Sequence, residues 1–308
     1  MIKTLLKNLI PLLLIGCVEP NTFKGDNNAV KELTVDAKEI FKYTAEKNPV
    51  DIVWLIDTSR SMVEECANVR SNFDSFINSL EANNDIKVAL VASSNDPTSL
   101  GLQVKLSDSA KQRGHIQIDS VVSSNDPLYA LSVISCSSAD ASSLCGNPIS
   151  GVNQSKGPLA FNPSNRGALL NFYRPNSKKV FIIVTDDDAL KVTHDNLFSF
   201  LPQTHQGATF FSFVSKQGTT AEKLRELIEK NPNITGDELP QVKGSSYINL
   251  AKSSGGEAYD IYDSNWSKHF DTLKNSIEDI ANAEFQLDGL NKLISVSLEG
   301  AKLTINIL

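Results

Sequence analysis

Short apolar runs alternate along this chain with amphipathic stretches. Two runs, Val53–Ile56 and Val180–Val184, are wholly apolar and are each followed within a residue or two by an aspartate. Runs of this kind are typical of buried parallel strands. Residues 86–91 and 208–214 have a similar character, whereas apolar residues recur at helical spacing over 62–80. This alternation predicts an α/β fold: a doubly wound, mostly parallel sheet with helices on both faces.

The same pattern predicts the remaining elements. Further helices are expected over 128–134, 195–201, 220–230, 247–252 and 266–281, a last sheet strand over 255–262, and edge strands over 100–106 and 116–122. Residues 293–308 alternate around Glu299-Gly300, which predicts a C-terminal β-hairpin. A lone hairpin is rarely stable. We therefore expect it to dock on the domain or to begin a larger β module.

The N-terminus has the pattern of an export signal. Lys3 and Lys7 precede a short apolar core that ends in Leu14-Ile15-Gly16-Cys17. This ending resembles the bacterial lipobox, which implies cleavage after residue 16, acylation of Cys17 and attachment to a membrane. The alternative is an ordinary signal peptide or a short anchor with a free cysteine. Val18 follows instead of an aspartate, which favours the outer membrane of a bacterial envelope.

Composition and length fit an exported globular protein. The 308 residues are 41% hydrophobic and 21% charged, with a net charge of −7 that becomes about −9 without the two lysines of residues 1–16. No basic patch for nucleic acid and no second membrane-length apolar run is visible. The predicted organisation is a signal peptide (1–16), a tether (17–48), one domain (49–283) and the hairpin segment (284–308).

Oxygen-bearing side chains follow the first apolar run. Asp57, Ser59 and Ser61 lie on the turn that leads into the next helix. Hard oxygen donors without histidine or thiolate favour Mg²⁺, and also Mn²⁺ or Ca²⁺, over zinc. The alternative is that these side chains merely cap the helix.

The Asp-x-Ser-x-Ser pattern resembles the metal-ion-dependent adhesion site (MIDAS) of von Willebrand factor A domains. The resemblance implies that both serines ligate the ion and that Asp186, which follows the run ending at Val184, matches the family aspartate. Asp187 and Asp188 stand where the family commonly has glycine, so the site is expected to carry extra negative charge. The family also supplies a hydroxyl from a second loop. Its spacing favours Ser155, whereas the local residues around Ser164 look more like the family stretch.

Three cysteines remain besides Cys17. Cys136 and Cys145 bracket a Ser/Ala-rich loop and are predicted to form a disulfide in an oxidising envelope, the alternative being two reduced thiols. Cys66 lies in the predicted helix after the first metal loop. There a small buried apolar role is expected.

An enzyme is not predicted. The four histidines are scattered without metal spacing, no phosphate-binding glycine loop is present, and Asp57-Thr58-Ser59 lacks the second copy that an aspartic protease needs. Two functions remain. The first is an adhesin or receptor whose ion is completed by an acidic side chain of a protein partner. The second is an envelope scaffold with a structural metal or none.

Overall fold

The computed structural model describes residues 48–95, 100–125, 127–136, 165–190, 192–202, 205–218, 220–230, 243–282, 294–299 and 302–307. Nearly all of them belong to one unit within residues 44–285, and the last two ranges belong to another. The predicted signal peptide and nearly all of the predicted tether lie outside the described residues.

The main unit is built on one parallel sheet. Its order is β3-β2-β1-β4-β5-β6, and every neighbouring pair is parallel. The α/β fold predicted from the sequence is therefore confirmed. The strands are β1 (Val50–Ile56), β2 (Ile86–Ala92), β3 (Ile116–Asp119), β4 (Lys178–Val184), β5 (Thr209–Val214) and β6 (Ala258–Asp260).

Helices connect the strands, and all but a short one, Asp108–Gln112, which was not predicted, lie where the apolar periodicity placed them. A 3-10 turn, Arg60–Met62, leads from β1 into the first helix. The helices are α1 (Val63–Glu81), α2 (Asp108–Gln112), α3 (Pro127–Ser135), α4 (Leu197–Phe200), α5 (Ala221–Lys230), α6 (Ser245–Ser253) and α7 (Trp266–Asn282).

The core has two layers because alternate residues of each strand point to opposite faces. Ile52 and Trp54 of β1 pack with residues of α1 and α7, whereas Val53 and Leu55 pack with residues of α3, α4 and α6. Trp54 is fully buried, and its ring lies 5.2 Å from Phe73 in an edge-on contact. Helices thus cover both faces, which leaves the strand ends as the places where polar side chains of the sheet can gather.

The prediction of an edge strand over 100–106 is wrong. Leu102, Val104 and Leu106 alternate and are buried, as in a strand, but this segment joins no strand ladder. Its backbone has mixed partners instead: the Val104 N–H donates to the carbonyl of Ser93, and Arg70 donates to the carbonyls of Gly101 and Gln103. The alternation therefore reports burial of one side of the segment and not strand pairing.

At the C-terminus, β7 (Ile294–Glu299) and β8 (Lys302–Ile307) pair antiparallel as a separate two-stranded sheet. The two residues between them lie outside the described ones, so the hairpin turn stays a prediction. Among the helices of the described residues, none has the length and apolarity needed to cross a membrane.

Candidate functional site

The two aspartates that end the apolar runs meet at one edge of the sheet. β1 and β4 are parallel neighbours, with Ile56 level with Val184. The Asp57 N–H donates to the carbonyl of Val184 (2.9 Å). Because the carboxyl ends of parallel strands share an edge, Asp57 lies beside the residues that follow β4, among them Asp186.

The loop after β1 holds its oxygens in a tight turn. Asp57 Oδ1 accepts from the Ser59 N–H (2.8 Å), and the Ser59 and Ser61 hydroxyl oxygens lie 3.1 Å apart. Ser59 is the N-cap of the 3-10 turn but makes no side-chain capping hydrogen bond. Both hydroxyls are buried, at 5% and 1% residue exposure. The capping alternative therefore does not explain these two serines.

A third loop, between β3 and α3, reaches the same place. The Ser124 hydroxyl donates to the Ser59 hydroxyl (3.1 Å), and the Thr58 N–H donates to the carbonyl of Val122 (3.1 Å). The Thr185 hydroxyl lies 3.0 Å from Asp57 Oδ2 and 2.7 Å from the carbonyl oxygen of Ser124. The single hydroxyl proton of Thr185 is therefore shared between two acceptors. Through these contacts Thr185 links the loops that follow β1, β3 and β4.

Sequence reasoning missed Ser124 and Thr185 as members of this cluster. Two signals could have found them. Ser124 belongs to the second of two Ser-Ser-Asn-Asp-Pro copies, at 123–127, and that copy follows an edge strand. Thr185 directly precedes Asp186 at the end of β4.

Asp186 is the least satisfied group of the cluster. The residue is 1% exposed, and neither carboxylate oxygen has a hydrogen-bond partner. Burial raises the pKa of Asp186 well above its ordinary value, the negative charges of Asp57, Asp187 and Glu65 raise it further, and the nearby Ser61 hydroxyl lowers it. The site therefore disfavours a second bare carboxylate unless a positive charge accompanies it.

Asp57 is perturbed in the same direction. Burial raises its pKa from 3.8 to about 7, against the opposing hydrogen bonds from Ser59 and Thr185. Burial likewise raises the pKa of Glu65, in the first turn of α1, to about 7. Three buried acids with raised pKa values thus lie close enough to influence one another, because Glu65 contributes to the shift of Asp186.

The two extra aspartates after Asp186 have different roles. Asp187 is buried and adds negative charge to the site, as its effects on the pKa values of Asp57 and Asp186 indicate. Asp188 is structural, because its Oδ1 accepts from the N–H groups of Ala189 (2.9 Å) and Ser246 (2.8 Å). It ties the loop after β4 to the start of α6.

Two of the four cysteines, Cys66 and Cys136, lie among the residues that the structure describes. Cys66 is free and fully buried, with its sulfur 3.6 Å from the carbonyl oxygen of Asp57, and burial raises its thiol pKa. Cys136 is disulfide-bonded, and its partner lies outside the described residues. The pairing with Cys145 and the acylation of Cys17 therefore stay predictions. Ser155 and Ser164, the two candidates for a third hydroxyl, also lie outside.

Within the described part of the chain, no three or more His, Cys, Asp and Glu side chains are grouped as a metal-binding cluster. Any ion at this site would thus depend on hydroxyls as well as on carboxylates. The sequence matches no model of a known protein family and no curated protein. The parallel α/β fold is what the structure establishes, and the finer resemblance rests on the residues of the site.

Proposed function

We propose that this chain is a lipid-anchored protein of the von Willebrand factor A type that binds a divalent cation and thereby captures an acidic side chain of a partner protein. The observation that carries the proposal is the Asp186 carboxylate, buried beside Asp57 with both oxygens lacking a partner. A buried carboxylate without compensation is costly. Protonation removes that cost in the absence of a ligand, as the raised pKa of Asp186 indicates, whereas a bound cation would compensate the carboxylate in its ionised form.

The donors suit a hard ion. The residues that would hold it are Asp57, Ser59, Ser61 and Asp186, all of which the sequence singled out, and Ser124 supplies a fifth oxygen next to Ser59. Carboxylates and hydroxyls match Mg²⁺, Mn²⁺ or Ca²⁺. Since Mg²⁺ takes about six oxygen ligands, five side chains leave a position open. When bound, the ion would supply a positive centre for a carboxylate from outside.

The protein's own groups prepare the site. Hydrogen bonds from Ser59 and Thr185 orient the two oxygens of Asp57, and Ser124 and Thr185 hold the three loops together. Asp186 keeps both of its oxygens available. The arrangement is thus preorganised for a cation, and little reordering is needed when one binds.

The direct test is calorimetric titration of Mg²⁺ and Mn²⁺ into the full chain. The wild type should bind one ion, and Asp186→Asn should lose binding because the amide keeps the shape but removes the charge. The matched control is Asp271→Asn, on the exposed face of α7, which should bind as the wild type does. Ser124→Ala should weaken binding several-fold if its hydroxyl is a ligand.

Two results would contradict the proposal. If the wild type takes up no divalent ion, the scaffold alternative replaces it. If the ion binds but capture of a partner from envelope extracts is unchanged by a chelator, the ion is structural. Asp186→Asn separates the cases, because an adhesive ion requires loss of both metal binding and capture.

A further inference from the structure

One large apolar side chain stands out beside the site. Leu190, four residues after Asp186, is 73% exposed, more than any other large hydrophobic residue in the described part of the chain. The nearest described residues on either side, Ala189 and Val192, are only 6% and 2% exposed. The chain is thus buried on both sides of Leu190, whereas the Leu190 side chain is exposed.

Hydrogen bonds fix the segment to the candidate site. The Leu190 N–H donates to the carbonyl of Asn125 (3.3 Å), and the Asn125 side-chain amide donates to the carbonyl of Asp188 (3.1 Å). Asn125 adjoins Ser124, whose hydroxyl contacts Ser59. Asn125 and Ser124 are consecutive, so their Cα atoms are about 3.8 Å apart. The contacts then place the Leu190 backbone nitrogen at most about 15 Å from the Ser59 hydroxyl oxygen.

A single exposed leucine is ordinary on a protein surface. This one differs because its backbone is held by the same loop that carries Ser124, so it keeps a fixed position relative to the acidic cluster. Its backbone neighbour in this network is polar, since Asn125 accepts from the Leu190 N–H and donates to the carbonyl of Asp188. An apolar contact at a fixed position beside a site for an acidic group favours a particular kind of ligand. Such a ligand has an apolar residue and an acidic residue at a matching spacing.

We infer that Leu190 is a specificity contact for the partner, which would carry an apolar residue within about four positions of its acidic residue. Four residues of an extended chain cover about 13 Å at about 3.3 Å per residue, and the side chains of Leu190 and of the partner's two residues span the remainder. The inference rests on the proposed function, since the acidic residue is the one the ion would bind. It adds the apolar half of the motif.

The test is an array of synthetic peptides that carry one aspartate in a Gly/Ser background, with one leucine moved from six positions before it to six after. The full chain is applied in MgCl₂ and, in parallel, in chelator. Wild type should show a magnesium-dependent signal that peaks at leucine offsets of four or fewer. Leu190→Ser should lower that peak about tenfold, the loss expected for one partly buried leucine, down to the signal of leucine-free peptides.

Two variants control the comparison. Leu190→Met should keep the peak because it keeps the apolar surface, and Ile228→Ser, which removes a 45% exposed residue on α5, should leave it unchanged. A magnesium-dependent signal that ignores the leucine offset, or a peak that survives Leu190→Ser, would overturn the role of Leu190 and leave the proposed function standing. Absence of any magnesium-dependent signal would overturn both. Wild-type self-association that Leu190→Ser abolishes in sedimentation would make a second copy the occupant and overturn the peptide motif.

Discussion

Two aspartates of the sheet are equally buried, yet their surroundings differ. Asp51, at the start of β1, accepts from the Arg174 N–H (2.7 Å), the Arg174 Nε (2.7 Å) and the Ser177 hydroxyl (2.6 Å). Asp186, past the end of β4, accepts from none of the described groups. A structural aspartate is paired by its own protein, whereas a binding aspartate keeps its lone pairs for a ligand. The unpaired oxygens of Asp186 are therefore what the proposed cation site would require, and the paired oxygens of Asp51 are not.

The pH dependence of stability tests the state of Asp57. Its pKa in the folded protein is raised to about 7 from 3.8, so its contribution is complete below pH 4 and is lost as the pH rises through 7. Asp57→Asn should therefore be more stable than metal-free wild type at pH 8, by up to about 4 kcal/mol, and the advantage should vanish near pH 4. Urea unfolding in chelator, from pH 4 to 8, measures the difference.

Magnesium provides the second arm of that experiment. At pH 8 it should stabilise the wild type much more than Asp57→Asn, because the variant has lost one of the two proposed carboxylate ligands and keeps only Asp186. Asp271→Asn should follow the wild type at every pH. A difference between wild type and Asp57→Asn that does not change with pH would show that Asp57 ionises normally in the folded protein.

At the scale of elements, the apolar runs predicted the strands well, whereas the contacts between loops could not be predicted from the sequence. β1 and β4 could be predicted because strands buried on both faces need continuous apolar residues, and their terminal aspartates follow from that boundary. The contact between Ser124 and Ser59 could not be predicted, because it depends on where the edge strand β3 places the loop that follows it. The two residues are 65 positions apart in the sequence. Local periodicity carries no information about such long-range contacts.

The strand prediction for residues 100–106 was wrong for a related reason. The alternation of buried residues is genuine, but side chains from elsewhere make hydrogen bonds to this backbone that a neighbouring strand would otherwise make. Gln117, on β3, accepts from the Leu106 N–H (2.9 Å) and donates to the carbonyls of Val104 (3.2 Å) and Ala92 (3.3 Å). One amide thus takes the place that a neighbouring strand would have filled. No pattern within residues 100–106 indicates such a substitute.

Gln117→Ala tests this account. The change removes the partner of the Leu106 N–H and of the Val104 carbonyl, whereas the Ala92 carbonyl still accepts from the Ser120 N–H, so the free energy of unfolding should fall by about 1–3 kcal/mol. Hydrogen exchange at the Leu106 amide should accelerate more than at the amides of β1. Gln112→Ala, at an exposed position of α2, is the matched control and should change neither quantity. Equal stability of Gln117→Ala and wild type would mean that water replaces the side chain.

For the whole molecule, the net charge and the proposed ion would have opposite effects on an acidic partner. The chain carries a formal charge of −7, which repels an acidic partner at long range. Salt at physiological strength limits that repulsion to about 8 Å. Capture of an acidic side chain would therefore depend on a local positive centre, and the proposed ion is the group that would provide it.

The proposed lipid anchor also concerns the whole molecule, and it would be attached at Cys17, which lies outside the described residues. Cys17→Ser should abolish labelling by a radioactive fatty acid and move the protein from the membrane to the soluble fraction, because the acyl chains supply the membrane affinity. The domain should remain folded, with unchanged magnesium binding, because the substitution lies outside residues 44–285, the unit that holds the site. Val18→Ala, next in sequence, should label as the wild type does.

The same variant bears on the disulfide. The chain has four cysteines and Cys66 is free, so Cys17 and Cys145 are the candidates to pair with Cys136. An acylated Cys17 has no thiol left for a disulfide. Cys17→Ser should therefore leave Cys136 unreactive to maleimide, whereas Cys145→Ser should expose it. Equal fatty-acid labelling of wild type and Cys17→Ser would reject the lipid anchor, and a reactive Cys136 in Cys17→Ser would assign the disulfide to Cys17 instead.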